Sequence, residues 1–270
     1  MLFVITRAPL GDWVRSVHYW AAGGLAVTLT AHLAYVFWRR SYRRPRELTW
    51  WAGVGLAGLV FLLTVTGTVL RADQEGFEAL THFTAGGELL TGVGGGFFTQ
   101  GFTPSTTLLA RMYTLHTSLL PLLALGLIGI HFWLIRHLGI HANGGGASTF
   151  RVHAVRLAGA ALLVYALVGA LAVLVPEDLG YSYVPGFEVT KPFWPVLWVY
   201  GLENLLGVWG MVVGPAVLSA YLLALPLLDR AADDRPGVRH SARWAGMALG
   251  AALVGLWLYG WLGEARPHIM

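Results

Sequence analysis

The 270-residue sequence contains no cysteine. That absence excludes disulfides, thiolate metal sites, iron–sulfur clusters and any haem held through a thioether. Charge is scarce as well. Charged residues make up 12% of the chain, against about 25% in a soluble domain. The hydrophobic fraction is 56% and the mean hydropathy +0.61. A water-soluble protein of this size cannot hide so much apolar surface, which excludes a soluble enzyme and intrinsic disorder. Lysine is nearly missing: Lys191 is the single one among 18 basic residues, the rest being Arg, and the net charge is +4. In a membrane protein such an excess marks the cytoplasmic loops. It does not point to nucleic acid, and no nucleic-acid partner is expected. The opening MLFVITRAPLGDWVR carries Asp12 and a proline but no basic leader or small-residue cleavage site, so no removable signal peptide is expected.

What the chain does have is long apolar runs. Six stretches supply the roughly 20 residues that a spanning helix needs: 14–38, 50–70, 107–136, 155–175, 206–228 and 243–263. The expected fold is all-α, a six-span transmembrane helix bundle in lipid. Loop 39–47 (RRSYRRPRE), loop 137–156 and loop 229–243 are rich in Arg, whereas 71–106 and 176–205 carry most of the acids. By the positive-inside rule the Arg-rich loops face the cytoplasm. Both termini then lie outside the cell membrane, and the first and third spans run inward. The two outer loops exceed ordinary connections. AGGELLTGVGGGFFTQG reads as too glycine-rich for a helix, leaving a flexible tether or a surface for a partner or lid. The aromatics at span ends, among them Trp50 and Trp51, read as an interfacial belt.

Four of the 10 histidines fall inside spans, His18 and His32 on the first, His116 and His131 on the third. The steps are 14 and 15 residues, roughly 21 and 22 Å along a helix and about 40° and 60° off a whole number of turns. Each pair therefore shares one helix face. With both helices running inward, His18 and His116 share an outer depth, and His32 and His131 an inner depth. Axial imidazole ligation of two non-covalent haems b accounts for two such pairs. Hydrogen-bonding or proton-relay histidines in a haem-free transporter or scaffold are the alternative. Zinc is not expected at these histidines, because it needs three or four ligands at one point. Arg15 and Arg111 lie one turn or so outside His18 and His116, placed for haem propionates or for anchoring at the interface. Gly53 and Gly67 repeat the 14-residue stride on the second span, leaving room for a flat ligand or for close helix packing. The remaining histidines, His82, His137, His141, His153, His240 and His268, read as solvent-exposed. Glu203 and Asn204 read as interfacial.

RSVHYWAAGGLAVTLTAH, PRELTWWAGVGL, TGTVLRADQ and LARMYTLHTSLLPLLALGLIGIHFWLIRHLGI resemble the haem helices of the cytochrome b family, most closely its b6 branch. PVLWVYGLENLLGVWGMVVGPAVLSAYLLALPLLD is similar to the family's subunit IV. The resemblance implies a di-haem domain over 1–150 and a subunit IV-like domain over 151–270. It implies His18 with His116 on an outer haem iron and His32 with His131 on an inner one. It implies propionate roles for Arg15 and Arg111, and a place for Arg136 beside the inner haem and an inner quinone site. The expected function is electron transfer across the membrane between a quinone pool and a partner redox subunit.

Three departures from the family shape that expectation. The family has a helix before its first haem helix, so a helix from another subunit is expected to cover the open haem wall. The family's outer quinol motif Pro-Glu-Trp-Tyr is replaced by Lys191-Pro192-Phe193-Trp194-Pro195, without its acid; Glu188 lies nearby on the loop. The turn after the second span reads Arg71-Ala72-Asp73-Gln74, without the usual Pro and Trp. Two versions follow: a quinol–cytochrome c reductase subunit with a Rieske partner, or an anchor for another oxidoreductase of molybdenum or hydrogenase type, which the lost acid favours. Either would exchange electrons with an extracytoplasmic redox subunit docked on 71–106 and 176–205.

Overall fold

The structure is a computed structural model that describes residues 7–103, 105–139, 150–178, 180–229 and 236–269, with side chains at all of these except 150, 153 and 236–240. Among the described residues the regular structure is helical throughout, without strands. In chain order the helices are α1 (Gly11–Trp38), α2 (Glu47–Val69), α3 (Gln74–Leu89), α4 (Leu108–Thr114), α5 (Leu120–Leu138), α6 (Phe150–Leu174), α7 (Leu197–Leu206), α8 (Trp209–Leu228) and α9 (Pro236–Leu262). Among the described residues six segments are long and apolar enough to cross a membrane: Gly11–Trp38, Glu47–Val69, Leu108–Leu138, Ala154–Leu174, Trp209–Leu228 and Ser241–Leu262. They coincide, within a few residues, with the six apolar runs of the sequence.

The third span is a composite. A π-helical turn, Leu115–Leu119, joins α4 to α5, and His116 sits in it. Pro121 follows at once. Proline has no N–H to donate and its ring crowds the carbonyl one turn back. A wider turn relieves that conflict without breaking the rod.

The chain groups into two compact units. One comprises Met1–Ser41 with Ile135–Leu179, the other Tyr42–Leu134 with Gly180–Met270. They interleave along the sequence, because each is a set of helices that touch rather than a run of consecutive residues.

In the first unit α1 packs on α6, with Gly24 facing Val168. The segment after α6 is laced to the start of α1. Glu177 N donates to Ser16 Oγ at 3.0 Å, and Trp20 Nε1 donates to Val175 O at 2.8 Å. Exposed Leu162, Leu163 and Tyr165 on α6 make a surface that hydrocarbon can solvate.

In the second unit Trp50 and Trp51 fasten α2 to α8, donating to Leu222 O at 2.7 Å and Leu223 O at 3.0 Å. These two rings thus have specific partners beyond an interfacial role. Asp229, 1% exposed at the end of α8, accepts from Tyr42 Oη at 2.6 Å and from the Arg43 guanidinium. A buried carboxylate held by a cation and a hydroxyl is tolerated because its charge is paired. α7 crosses α9 at two glycines: a Cβ on Gly201 would strike Leu256 O, and one on Gly260 would lie 2.6 Å from Leu197 O. Backbone meets backbone there, fixing the depth of α7.

The acidic loops are ordered parts of this unit. Asp73 caps α3, accepting from Gly76 N at 3.0 Å, as short acids do at helix N-termini. Gln74, 2% exposed, donates to Glu78 Oε1 and Phe187 O and accepts from Val184 N. The Glu78 carboxylate accepts from Val189 N at 2.9 Å, Thr190 N at 3.1 Å and the Thr190 hydroxyl. Two residues one helical turn apart therefore clamp the 183–190 segment onto α3. The glycine-rich stretch corrects the expectation of a non-helical segment: α3 continues through Gly86 and Gly87 to Leu89, and short 3-10 turns follow. A Cβ at Gly87 would come within 2.9 Å of both Gly95 O and Phe98 Cβ. Close chain crossing therefore outweighs glycine's low helix propensity.

Candidate functional site

The third span and α2 bring the expected histidines and glycines together in the second unit. Gly67 faces His116, where a Cβ would lie 2.8 Å from Cε1 of the ring. Gly53 faces His131, with the corresponding distance 3.4 Å. The 14-residue stride on α2 thus matches the 15-residue stride on the third span, ring against glycine at both levels. Thr66, beside Gly67, lies with Oγ1 at 3.1 Å from His116 Nδ1. That hydroxyl donates to Leu62 O at 2.7 Å, so its lone pair is available to accept from Nδ1–H. A bond in that direction would leave Nε2 unprotonated, the form in which an imidazole binds metal.

Arg111, five residues before His116, is 6% exposed. Its Nη2 donates to Thr99 O, and its guanidinium lies 5.5 Å from the Phe97 ring centroid and 5.3 Å from that of Phe102. Its Nε and Nη1 have no hydrogen-bond partner among the described residues. Buried cationic donors left over in this way suit an anionic group that is not part of the chain. Arg15 is differently engaged. Its guanidinium donates to Glu177 O at 2.8 Å and to Asp178 O, tying α1 to the segment after α6. Arg136 is exposed at the end of α5. His18 and His32 are exposed on α1, in the first unit.

The donor set fits haem b on chemical grounds. His116 has a hydroxyl partner at Nδ1, Gly53 and Gly67 keep bulk away from the two rings, and Arg111 supplies unmatched donors for a carboxylate.

A cavity of about 470 Å³ opens elsewhere in the second unit, between α2, α3, α7, α8 and the 188–196 segment. Its walls are largely apolar, Phe61, Val65, Phe83 and Met211 among them. One end is polar. His82, Glu188 and Glu203 line it, and His268 packs behind. His82 Nε2 lies 3.1 Å from Glu188 Oε1 and 3.3 Å from Glu203 Oε1. His268 Nδ1 lies 3.0 Å from Glu188 Oε1 and its Nε2 lies 2.8 Å from Asn204 Oδ1. Burial disfavours charge on His82, yet the bond to Glu188, the charge of Glu203 and the Glu78 carbonyl outweigh it and raise its pKa. Burial likewise opposes the charge of Glu188, but hydrogen bonds from His268 and His82 overcome it and hold the carboxyl well below its usual range. Glu203 is pushed up, mainly by burial.

This cluster corrects several sequence expectations. His82 and His268 are not solvent-exposed, and Glu203 is buried; α3, α7 and the segment after α9 fold them together. Glu188 does face the cavity. Pro192 of the Lys191–Pro195 stretch lines it too, while Lys191 Nζ donates to Trp261 O at 2.7 Å and Trp194 O accepts from Trp257 Nε1 at 2.7 Å. His137 is exposed. His141 and the side chains of His153 and His240 lie outside the described residues.

Residues 24–226 match the sequence model of the family described as Cytochrome b(N-terminal)/b6/petB. The chain is 38% identical over 144 residues to cytochrome b6 of Heterocapsa triquetra, 36% over 141 to that of Gracilaria tenuistipitata var. liui, and 35% over 142 to that of Chlamydomonas reinhardtii. Each match covers 51% of this chain and 66% of the relative, so the likeness spans just under two thirds of those proteins. A chain from a solved structure described as a hyperthermophilic respiratory Complex III has the same fold, with TM-score 0.70, 96% of this chain and 80% of that one covered, and 20% identity. On the family match over most of its length, the chain belongs to the cytochrome b(N-terminal)/b6 family.

Proposed function

We propose that the chain is a di-haem b-type electron-transfer subunit of a membrane redox complex. It would link a quinone pool to a partner redox subunit. The observation that carries this reading is the double match of Gly67 with His116 and Gly53 with His131. A transporter that used these histidines as proton relays would have no reason to keep bulk away from both rings at one stride.

In this reading His18 and His116 hold the outer haem iron, and His32 and His131 the inner one. Haem, when bound, supplies a one-electron carrier at each depth. Thr66 keeps the His116 Nε2 lone pair directed to the iron. Arg111 pairs with a propionate through the donors that the chain leaves unmatched. Arg15 would have to give up its carbonyl contacts to do the same, so Arg111 is the stronger of the two. Arg136 stands at the inner end of the third span, where a cation serves an anionic or polar quinone head. A helix from another subunit would cover the open haem edge. An extracytoplasmic redox subunit would dock on the 71–106 and 176–205 segments.

Within this reading the cavity favours a quinol–cytochrome c reductase with a Rieske partner over an anchor for another enzyme. The family's outer acid is absent, but Glu188 and Glu203 reach a cavity with apolar walls, as a quinol ring requires, and Glu203 has a raised pKa suited to exchanging protons. The test is a redox titration of the purified protein with His116→Ala and His131→Ala variants. Two b-type components in the wild type, with one lost in each variant, support the assignment. Loss of neither contradicts it.

A further inference from the structure

We propose that His82, Glu203 and His268 form a divalent-cation site, suited to Zn2+, at the polar end of the cavity, with Glu188 bonded to both rings beside them. One ligand atom from each of His82, Glu203 and His268 lies within 4.8 Å of the others. Glu188 Oε1 sits between the two rings, 3.1 Å from His82 Nε2 and 3.0 Å from His268 Nδ1, and Glu203 Oε1 lies 3.3 Å from His82 Nε2. A tetrahedron with ~2.0 Å metal bonds has edges of about 3.3 Å. The His82–Glu203 separation is near that edge, and a shift of about 1 Å would bring the three converging atoms to it.

The outer contacts are those a metal site needs. A ligating imidazole donates its second N–H to an acceptor that fixes its tautomer and aim. His82 Nδ1 lies 2.8 Å from Glu78 O, and His268 Nε2 lies 2.8 Å from Asn204 Oδ1. Each ring thus has one nitrogen anchored and the other turned to the carboxylates. Glu188 is oriented in the same way. Its Oε2 accepts from His268 N at 2.8 Å, leaving Oε1 for the centre.

Glu203 supplies an independent indication. It is 4% exposed, and its Oε1 accepts no hydrogen bond among the described residues. His82 Nε2, at 3.3 Å, is near it but not aligned to donate. A buried carboxylate oxygen that faces the cluster without a hydrogen bond is costly. A dication would satisfy it and would balance the two carboxylates in charge. Two imidazole nitrogens and a carboxylate oxygen, with a fourth position for water or Glu188, suit zinc better than magnesium or calcium, which take oxygen ligands.

The site stands apart from the four haem-ligand candidates, so it can be tested separately from the haem reading, but it shares Glu203 with the proposed quinol cavity, where a bound ion would block proton exchange. Zinc sulfate is titrated into the detergent-purified holoprotein, and its haem absorption is recorded alongside. Expected is one saturable zinc per chain with micromolar or tighter affinity. Zinc-edge X-ray absorption should show nitrogen and oxygen ligands at ~2.0–2.1 Å with two imidazoles. Glu203→Gln and His268→Gln should each weaken binding at least tenfold while leaving the haem spectrum as it was. Absence of saturable binding, or equal affinity in both variants with the haem spectrum intact, overturns the proposal.

Discussion

Gly67 lies so close to His116 that a single added methyl group would sit 2.8 Å from Cε1 of the imidazole. Side chain and glycine are therefore fitted to one another across two spans. Overpacking of this kind costs about 1–3 kcal/mol where neighbours cannot move. On the proposed ligation, Gly67→Ala should displace the ring and remove the haem assigned to His116, leaving the other. Gly53→Ala, whose Cβ would be 3.4 Å from His131 Cε1, should be milder. Haem content of the two purified variants checks the order.

Thr66 sets the chemistry of the same ring. Replacing it with Val removes the acceptor for Nδ1–H while keeping the shape. Loss of an orienting partner weakens metal binding about 10–100-fold. Thr66→Val should therefore release the outer haem more readily and shift its midpoint potential, and Thr66→Ser should restore both. Haem dissociation rates and potentiometry on the pair supply the comparison.

The spans were legible in the sequence because twenty apolar residues in a row have few other uses in water. The histidine and glycine strides were legible as shared faces, because helical periodicity turns a spacing into a face; the sequence offered Gly53 and Gly67 as room for a flat ligand or as packing positions, and the contacts they make with His131 and His116 were not legible. The acid–base cluster was not legible. His82, Glu188, Glu203 and His268 come from four separate segments, and each alone looks like a polar residue at a membrane surface. Two weaker signals were present. His82 follows Glu78 by four, one turn on, and α7 places Val199, Tyr200 and Glu203 on one side. The glycine-rich stretch misled because propensity is a local prior, whereas Gly87 is used for a chain crossing.

Glu78 should act through the clamp rather than through the cavity. Its carboxylate accepts from Val189 N, Thr190 N and the Thr190 hydroxyl, bonds to a charged acceptor worth about 1.5–3 kcal/mol each. Glu78→Ala should free the 183–190 segment. Limited proteolysis should then cut there at least tenfold faster, with haem content unchanged. Equal cutting of variant and wild type would remove the clamp from the account.

The pH dependence has a defined sign. Glu188 has its pKa lowered from 4.5, so its stabilising contribution is complete above that value and is lost as pH falls through the lower folded pKa. His82 has its pKa raised from 6.5, so its contribution is complete below that value and is lost as pH rises through the higher folded pKa. Stability of the cluster should therefore be greatest in mildly acidic buffer and decline on both sides. Thermal unfolding from pH 5 to 9 should show the alkaline decline in wild type and a flatter one in His82→Gln.

Haem stoichiometry tests the central claim most directly. A pyridine haemochrome assay on the purified chain, normalised to protein by amino-acid analysis, should give about two haems b per chain. A value near zero, with the protein folded by circular dichroism, would contradict it and leave a six-span membrane protein without an electron path.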